Sequence, residues 1–138
     1  MDTNRINTTL VDVKVDNKQV LFIMLDNKGA INRIGDGSPD CEATDLFTGN
    51  SSQNGFRELL TLVNEDMVQF CGNIYDIPDK EGRTCEMTVM FSGIDIETGF
   101  KVIYGEHSQG PPRPVVDYVI KAVALTEKWY LQKVANKC

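Results

Sequence analysis

The sequence predicts a single α+β domain over residues 1–138, with a mostly antiparallel sheet of about six strands and helices on one face. Three observations indicate this fold. Several short segments alternate apolar and polar residues, other segments repeat apolar residues with helical spacing, and the strands and helices come in separate runs. A chain of 138 residues with 41% hydrophobic and 25% charged residues is typical of one globular domain.

The N-terminal half begins with a predicted β-meander. Segments 9–16, 19–25 and 30–34 have strand-like patterns and are separated by short turns rich in Asp, Asn and Gly. Phe22 and Met24 give the second strand apolar residues on its other face as well. This pattern predicts a central strand that is covered on both sides at least in part.

The segment 35–55 has no regular pattern. It is rich in Gly, Ser and Asn, and its first half carries Asp36, Asp40, Glu42 and Asp45 without any Lys or Arg. The acids lack the spacing of a calcium-binding EF-hand loop. We therefore expect a long, solvated acidic loop and no metal site.

Helical patterns occur three times after this loop. Apolar spacing over 56–63 predicts a helix with Asn54 as its N-cap, and Asn64 is placed to cap a second, short helix. The longest pattern predicts a C-terminal helix over 113–135. Residues 1–5 have no pattern and are expected to form a flexible N-terminus.

Three further strands are predicted between the second and the last helix. They cover residues 73–77, 83–96 and 100–104, and we interpret 78–82 as a hairpin loop between the first two. In the long strand, the apolar positions change from odd to even at Ser92-Gly93. A β-bulge produces such a shift.

The charge is unevenly distributed along the chain, and this indicates which class of partner the protein can bind. The net charge is −6, but residues 1–112 carry 9 Lys and Arg against 18 Asp and Glu, a net charge of −9. Residues 113–138 carry 5 against 2, a net charge of +3. An acidic body repels phosphate, so we expect no nucleic acid and consider a basic protein as the possible partner.

Neither the apolar runs nor the cysteines indicate a membrane or secreted protein. The longest strongly apolar run, Val20–Leu25, is much shorter than the ~20 residues of a membrane helix. The first nine residues lack a basic start followed by an apolar stretch, so we expect no secretory signal. The four cysteines are scattered, without a CxxC pair. We therefore expect free thiols, a cytoplasmic location and no membrane contact.

The only histidine, His107, lies in a proline-rich stretch, residues 104–113, which we call the corner. Glu106, His107 and Ser108 are the residue types of a catalytic triad. However, triad residues converge from separate parts of a fold, and the chain has no GxSxG motif. No catalytic residue is assigned, and no cofactor motif is present.

The corner also precedes the predicted C-terminal helix, whose N-cap position falls on Arg113. Because Arg is not a capping residue, the N–H groups of Val115 and Val116 need another partner. Water can meet them, Ser108 or Gln109 can fold back as a cap, or an anion can bind there. The candidate ligand-binding residues are Tyr104, His107, Ser108 and Arg113.

Two classes of function follow. The first is a non-enzymatic interaction or regulatory protein, including an inhibitor that covers a basic partner. The alternative is a small-molecule or anion-binding domain, or a hydrolase, that uses the corner. The absence of catalytic clusters favours the first class.

Overall fold

The computed structural model describes residues 2–40 and 45–135 and confirms a single α+β domain with a mostly antiparallel sheet. The strands are β1 (Ile6–Val15), β2 (Lys18–Asp26), β3 (Ala30–Ile34), β4 (Leu46–Asn50), β5 (Ile74–Asp76), β6 (Thr84–Gly93) and β7 (Ile96–Gly105). The helices are α1 (Gln53–Leu60), α2 (Glu65–Val68) and α3 (Arg113–Ala135). A short 3-10 helix, Thr3–Arg5, lies in the segment that we expected to be flexible.

The seven strands form one sheet in the order β4-β3-β2-β1-β6-β7-β5. All neighbours are antiparallel except β5, which runs parallel to β7. The turn between β1 and β2 places Asp16 and Asn17 at φ of 49° and 66°. Two consecutive positive φ values are typical of the type I′ turns that join antiparallel strands tightly.

The hydrophobic core lies between one face of the sheet and the helices. Val11 and Val89 are paired across β1 and β6 and are almost fully buried. The Tyr118 ring on α3 contacts Phe91 edge to face, with ring centroids 5.9 Å apart. Its hydroxyl shares a 2.6 Å hydrogen bond with the Thr9 hydroxyl. This bond gives the buried Tyr118 hydroxyl a partner, and the Thr9 hydroxyl also donates to the carbonyl of Met90 at 3.4 Å.

The segment 35–55 is not irregular throughout, which corrects the prediction of one long loop. Residues 46–50 form β4, and α1 begins at Gln53. Ser52 caps α1 by accepting a 3.1 Å hydrogen bond from the N–H of Asn54, so Asn54 is not the cap. β4 contains Gly49 and Asn50, and because these residue types are rare in strands, the sequence did not indicate a strand here.

The prediction of a hairpin loop over 78–82 was wrong. Because β5 pairs with β7 and not with β6, this segment crosses one end of the sheet. The predicted long strand 83–96 is also two strands, with a two-residue turn at Ile94-Asp95. Such a turn shifts the alternation of apolar residues by one position, just as a β-bulge does. The sequence pattern alone therefore did not distinguish a turn from a bulge.

β2 lies between β3 and β1, which confirms the prediction of a central strand, but no described helix covers its residues Phe22 and Met24. They lie on the sheet face opposite the helices, which we call the open face, and both are half-buried. No described element packs on this face. Within residues 2–40 and 45–135, no helix is long and apolar enough to span a bilayer.

Candidate functional site

The corner is hydrogen-bonded to the residues that directly precede β6. The N–H of Glu106 donates to the carbonyl of Arg83 at 2.9 Å, and the N–H of His107 donates to the carbonyl of Glu81 at 2.9 Å. These bonds continue the β6–β7 ladder beyond its last pair. The corner is therefore held by the sheet and is not a separate loop.

An ion pair strengthens this attachment. Arg83 donates from Nε to Glu106 Oε1 at 3.0 Å and from Nη2 to Oε2 at 2.5 Å, and its Nη1 reaches Asp40 Oδ1 at 3.1 Å. The hydrogen bonds from Arg83 lower the pKa of Glu106 below the ordinary value of 4.5. Glu106 thus remains a carboxylate at neutral pH and holds Arg83 in place.

His107 and Ser108 do not form a nucleophile–base pair. The His107 side chain is 70% exposed, and its Nε2 lies 3.5 Å from Glu106 Oε1. Ser108 Oγ accepts a 3.2 Å hydrogen bond from the N–H of Glu81. Ser108 therefore links the corner by a hydrogen bond to the segment that precedes β6.

The start of α3 contradicts the premise of an anion site. The helix begins at Arg113, and the carbonyl of Pro112 accepts from the N–H groups of Val115 and Val116 at 3.0 and 3.2 Å. The expectation that these two groups need water, a side-chain cap or an anion was wrong. Pro112 therefore occupies the N-cap position in place of Arg113.

Arg113 lies apart from the other candidate residues. Its Nε donates to Asp117 Oδ1 at 3.1 Å, and a depression of about 250 Å³ beside it also contains Asp66. Two carboxylates against one guanidinium give this depression a net negative charge. Neither His107 nor Ser108 lines it. The ligand-binding role of these residues stays a prediction.

Tyr104 lies on the core face of β7, opposite Cys85 on β6. Burial, with a smaller contribution from Cys85, raises the pKa of Tyr104 to about 12. Burial also raises the pKa of the Cys85 thiol, with Glu106 adding to the effect. Both groups are therefore protonated at neutral pH and have a packing role here.

The described residues contain no group of three or more His, Cys, Asp or Glu side chains that could hold a metal ion. Cys71 and Cys85 are free thiols. The predicted thiols of Cys41 and Cys138, and the acidic Glu42, lie outside the described residues.

The open face carries a more extensive feature than the corner does. Two cross-strand rows of apolar side chains lie on it, and the strand registers join them only on β2, where Met24 and Phe22 are two residues apart. One row consists of Met24, Leu10 and Met90, and the other of Leu46, Ile34 and Phe22. Leu46 is 54% exposed and the other five side chains are half-buried. An exposed contiguous apolar patch marks an interaction site in many soluble proteins.

Charged side chains surround these rows. Those on the open face are the acids Asp12, Asp26, Asp76, Glu86 and Glu97 and the bases Lys14 and Lys101. Acids outnumber bases, which gives the face a negative charge. Asp12 lies directly beside Phe22 and accepts a 2.6 Å hydrogen bond from Gln19 Nε2.

Sequence reasoning identified only part of this surface. The apolar second face of β2 was visible through Phe22 and Met24, but we interpreted it as covered at least in part. Leu10 and Met90 were not singled out, although both lie one residue away from core positions. The signal was an apolar residue at a position where alternation predicts a polar one.

Comparison with protein-family models and with curated proteins gives no match for this chain. Its fold and surface define a two-layer α+β protein with one uncovered sheet face.

Proposed function

We propose that this protein is a non-enzymatic interaction module, regulatory or inhibitory in role, that binds a basic partner protein through its open face. The supporting observation is the pair of apolar rows, which extends over five strands from β4 to β6. The opposite face is already occupied by the helices. A partner would therefore bury the apolar rows without disturbing the core.

The charges around the rows indicate the charge of the partner's binding surface. An interface with an apolar centre and a charged rim gains affinity from the centre, and gains association rate and specificity from the rim. With acids in excess on the open face, the complementary surface has apolar side chains surrounded by Lys and Arg.

The alternative, an anion or small-molecule site at the corner, is supported by no specific contact. Ser108 and Arg113 both have partners within the chain.

We further propose that the protein acts in the cytoplasm. The free thiols of Cys71 and Cys85 are compatible with a reducing compartment. Thiol labelling of freshly isolated protein tests this location. A disulfide at either residue would contradict it.

The binding proposal is tested by replacing apolar residues of the open face. Met24→Lys combined with Met90→Lys should abolish capture of the partner from an extract of the source cells. For the purified partner, calorimetry should give an affinity at least about tenfold weaker, which corresponds to ~1.4 kcal/mol. Wild-type affinity should also fall as salt is raised, because the rim charges are screened.

The control is Ile120→Lys, which adds one Lys at an exposed apolar residue on α3, away from the open face, and is compared with each single Met→Lys variant as well as with the double one. It should bind like the wild type. Equal binding by the double variant, or a partner with an acidic docking surface, would overturn the proposal.

A further inference from the structure

The two edges of the sheet are protected to different degrees. The edge strand β5 has three residues and is followed by Pro78, and its Asp76 forms an ion pair with Lys80. The other edge strand, β4, has five residues, Leu46-Phe47-Thr48-Gly49-Asn50, and none is charged or Pro. Sheet edges without charge, Pro or a bulge are open to pairing with another strand.

The hydrogen bonding of β4 shows which of its backbone groups face outward. The N–H of Ser51 donates to the carbonyl of Gly29 at 2.7 Å. Gly49 and Phe47 lie two and four residues before Ser51, so their N–H and C=O groups also face β3. In an antiparallel pair, the groups that face the partner strand belong to every second residue. The N–H and C=O groups of Leu46, Thr48 and Asn50 therefore point away from β3. Among the described strands, none pairs with this side.

We propose that two copies of this chain associate through the outer edges of their β4 strands, antiparallel and centred on Thr48. In this register Thr48 of one copy is opposite Thr48 of the other, and Leu46 is opposite Asn50. Each outward N–H then meets an outward C=O, because the spacing of the three residues is symmetric about Thr48. The sheets of the two copies become continuous.

Exposed apolar residues on the helix layer support a second whole copy over an isolated extended peptide. α3 passes over β4: a Cβ on Gly49 would lie 3.0 Å from the Trp129 ring, and Tyr130 contacts Phe47 with centroids 5.9 Å apart. In the same part of α3, Leu131 is 55% exposed and Val134 is 39% exposed. A peptide strand would cover β4 only, whereas a second domain also brings a helix layer to this edge.

This association is separate from the proposed partner binding, which uses the open face and does not require an oligomer. A negative result for the dimer therefore does not contradict the partner-binding proposal, and the reverse also holds.

Sedimentation analysis of the full chain over a range of concentrations tests the proposal. We expect a reversible monomer–dimer equilibrium. Thr48→Pro removes an outward N–H that β3 does not use, and Pro is tolerated at such edge positions. This variant should dimerise at least tenfold more weakly. Thr48→Val keeps the N–H and should dimerise like the wild type.

Hydrogen exchange at low and high concentration locates the interface. In the dimer, the amides of Leu46, Thr48 and Asn50 should exchange more slowly than in the monomer, while Phe47 and Gly49 should be protected in both. This readout uses wild-type protein and is informative even if Thr48→Pro does not fold. A chain that stays monomeric, a chain that takes up only an extended peptide at β4, or a dimer whose three outward amides remain fast would overturn the proposal.

Discussion

Arg33 carries a charged side chain into the core. It lies on the core face of β3 and is fully buried. Its Nε donates to the carbonyl of Gly35 and its Nη1 to Thr126 Oγ1, each at 3.1 Å, and its guanidinium lies 4.1 Å from the Tyr130 ring centroid. Nη1 is also 2.9 Å from Glu127 Oε2, which is the counter-charge. The Nη2 atom has no hydrogen-bond partner among the described residues.

Replacing Glu127 tests the dependence of the fold on this counter-charge. Glu127→Gln should lower the free energy of unfolding by about 1–3 kcal/mol, because a buried donor loses its charged acceptor. The lower part of this range is expected, since the Glu127 side chain is 40% exposed and water screens it. Urea unfolding measures the loss.

Glu58→Gln is the matched control, because Glu58 pairs with Lys121 at the surface. Its effect should be about 0–1 kcal/mol. Adding Arg33→Met to Glu127→Gln should recover stability, because apolar groups replace buried ion pairs at little cost. Equal losses for Glu127→Gln and Glu58→Gln would contradict the role of the buried charge.

Among the elements, β7 and the corner depend on the Arg83–Glu106 pair, and this makes stability sensitive to acid. The pKa of Glu106 is lower in the folded state than its ordinary value of 4.5. The stabilisation is therefore complete above the ordinary pKa and is lost as the pH falls through the lowered one. The difference in unfolding free energy between the wild type and Glu106→Gln should be constant near neutral pH and shrink below about pH 4.5.

Arg83→Gln, alone and combined with Glu106→Gln, completes a double-mutant cycle for this pair. The coupling between the two residues should vanish in acid. A coupling that persists unchanged at low pH would mean that the ion pair does not hold the corner.

Elements that depend on local pattern were predictable, and those that depend on distant pairing were not. α3 covers Arg113–Ala135, the residues over which apolar spacing predicts a helix, because that spacing lies within one segment. The position of β5 beside β7 required knowledge of a pairing across more than twenty residues. The same limit applies to the candidate site, since Arg83 and Glu106 are 23 residues apart.

At the scale of the whole molecule, one sheet face supports the fold and the other is available to a partner. The odd positions of β6 face the helices and the even positions face away. Alternation predicted this division for β6, including a polar character for Glu86 and Thr88. It did not predict that apolar residues would interrupt the polar face at Leu10 and Met90, because alternation does not tell an uncovered apolar position from a covered one.

The same substitution on neighbouring residues of β6 tests which face is the core. Val89 is fully buried beneath the helices, whereas Thr88 lies on the open face opposite Lys101. Val89→Asp should unfold the domain, because a buried unpaired charge costs several kcal/mol against a total stability of ~5–15 kcal/mol. Thr88→Asp should keep a cooperative thermal transition near that of the wild type, as followed by circular dichroism. Both variants place an Asp in the middle of the same strand, so strand propensity changes in a similar way. A difference between them therefore reports burial, and a stable Val89→Asp protein would place the core on the opposite face.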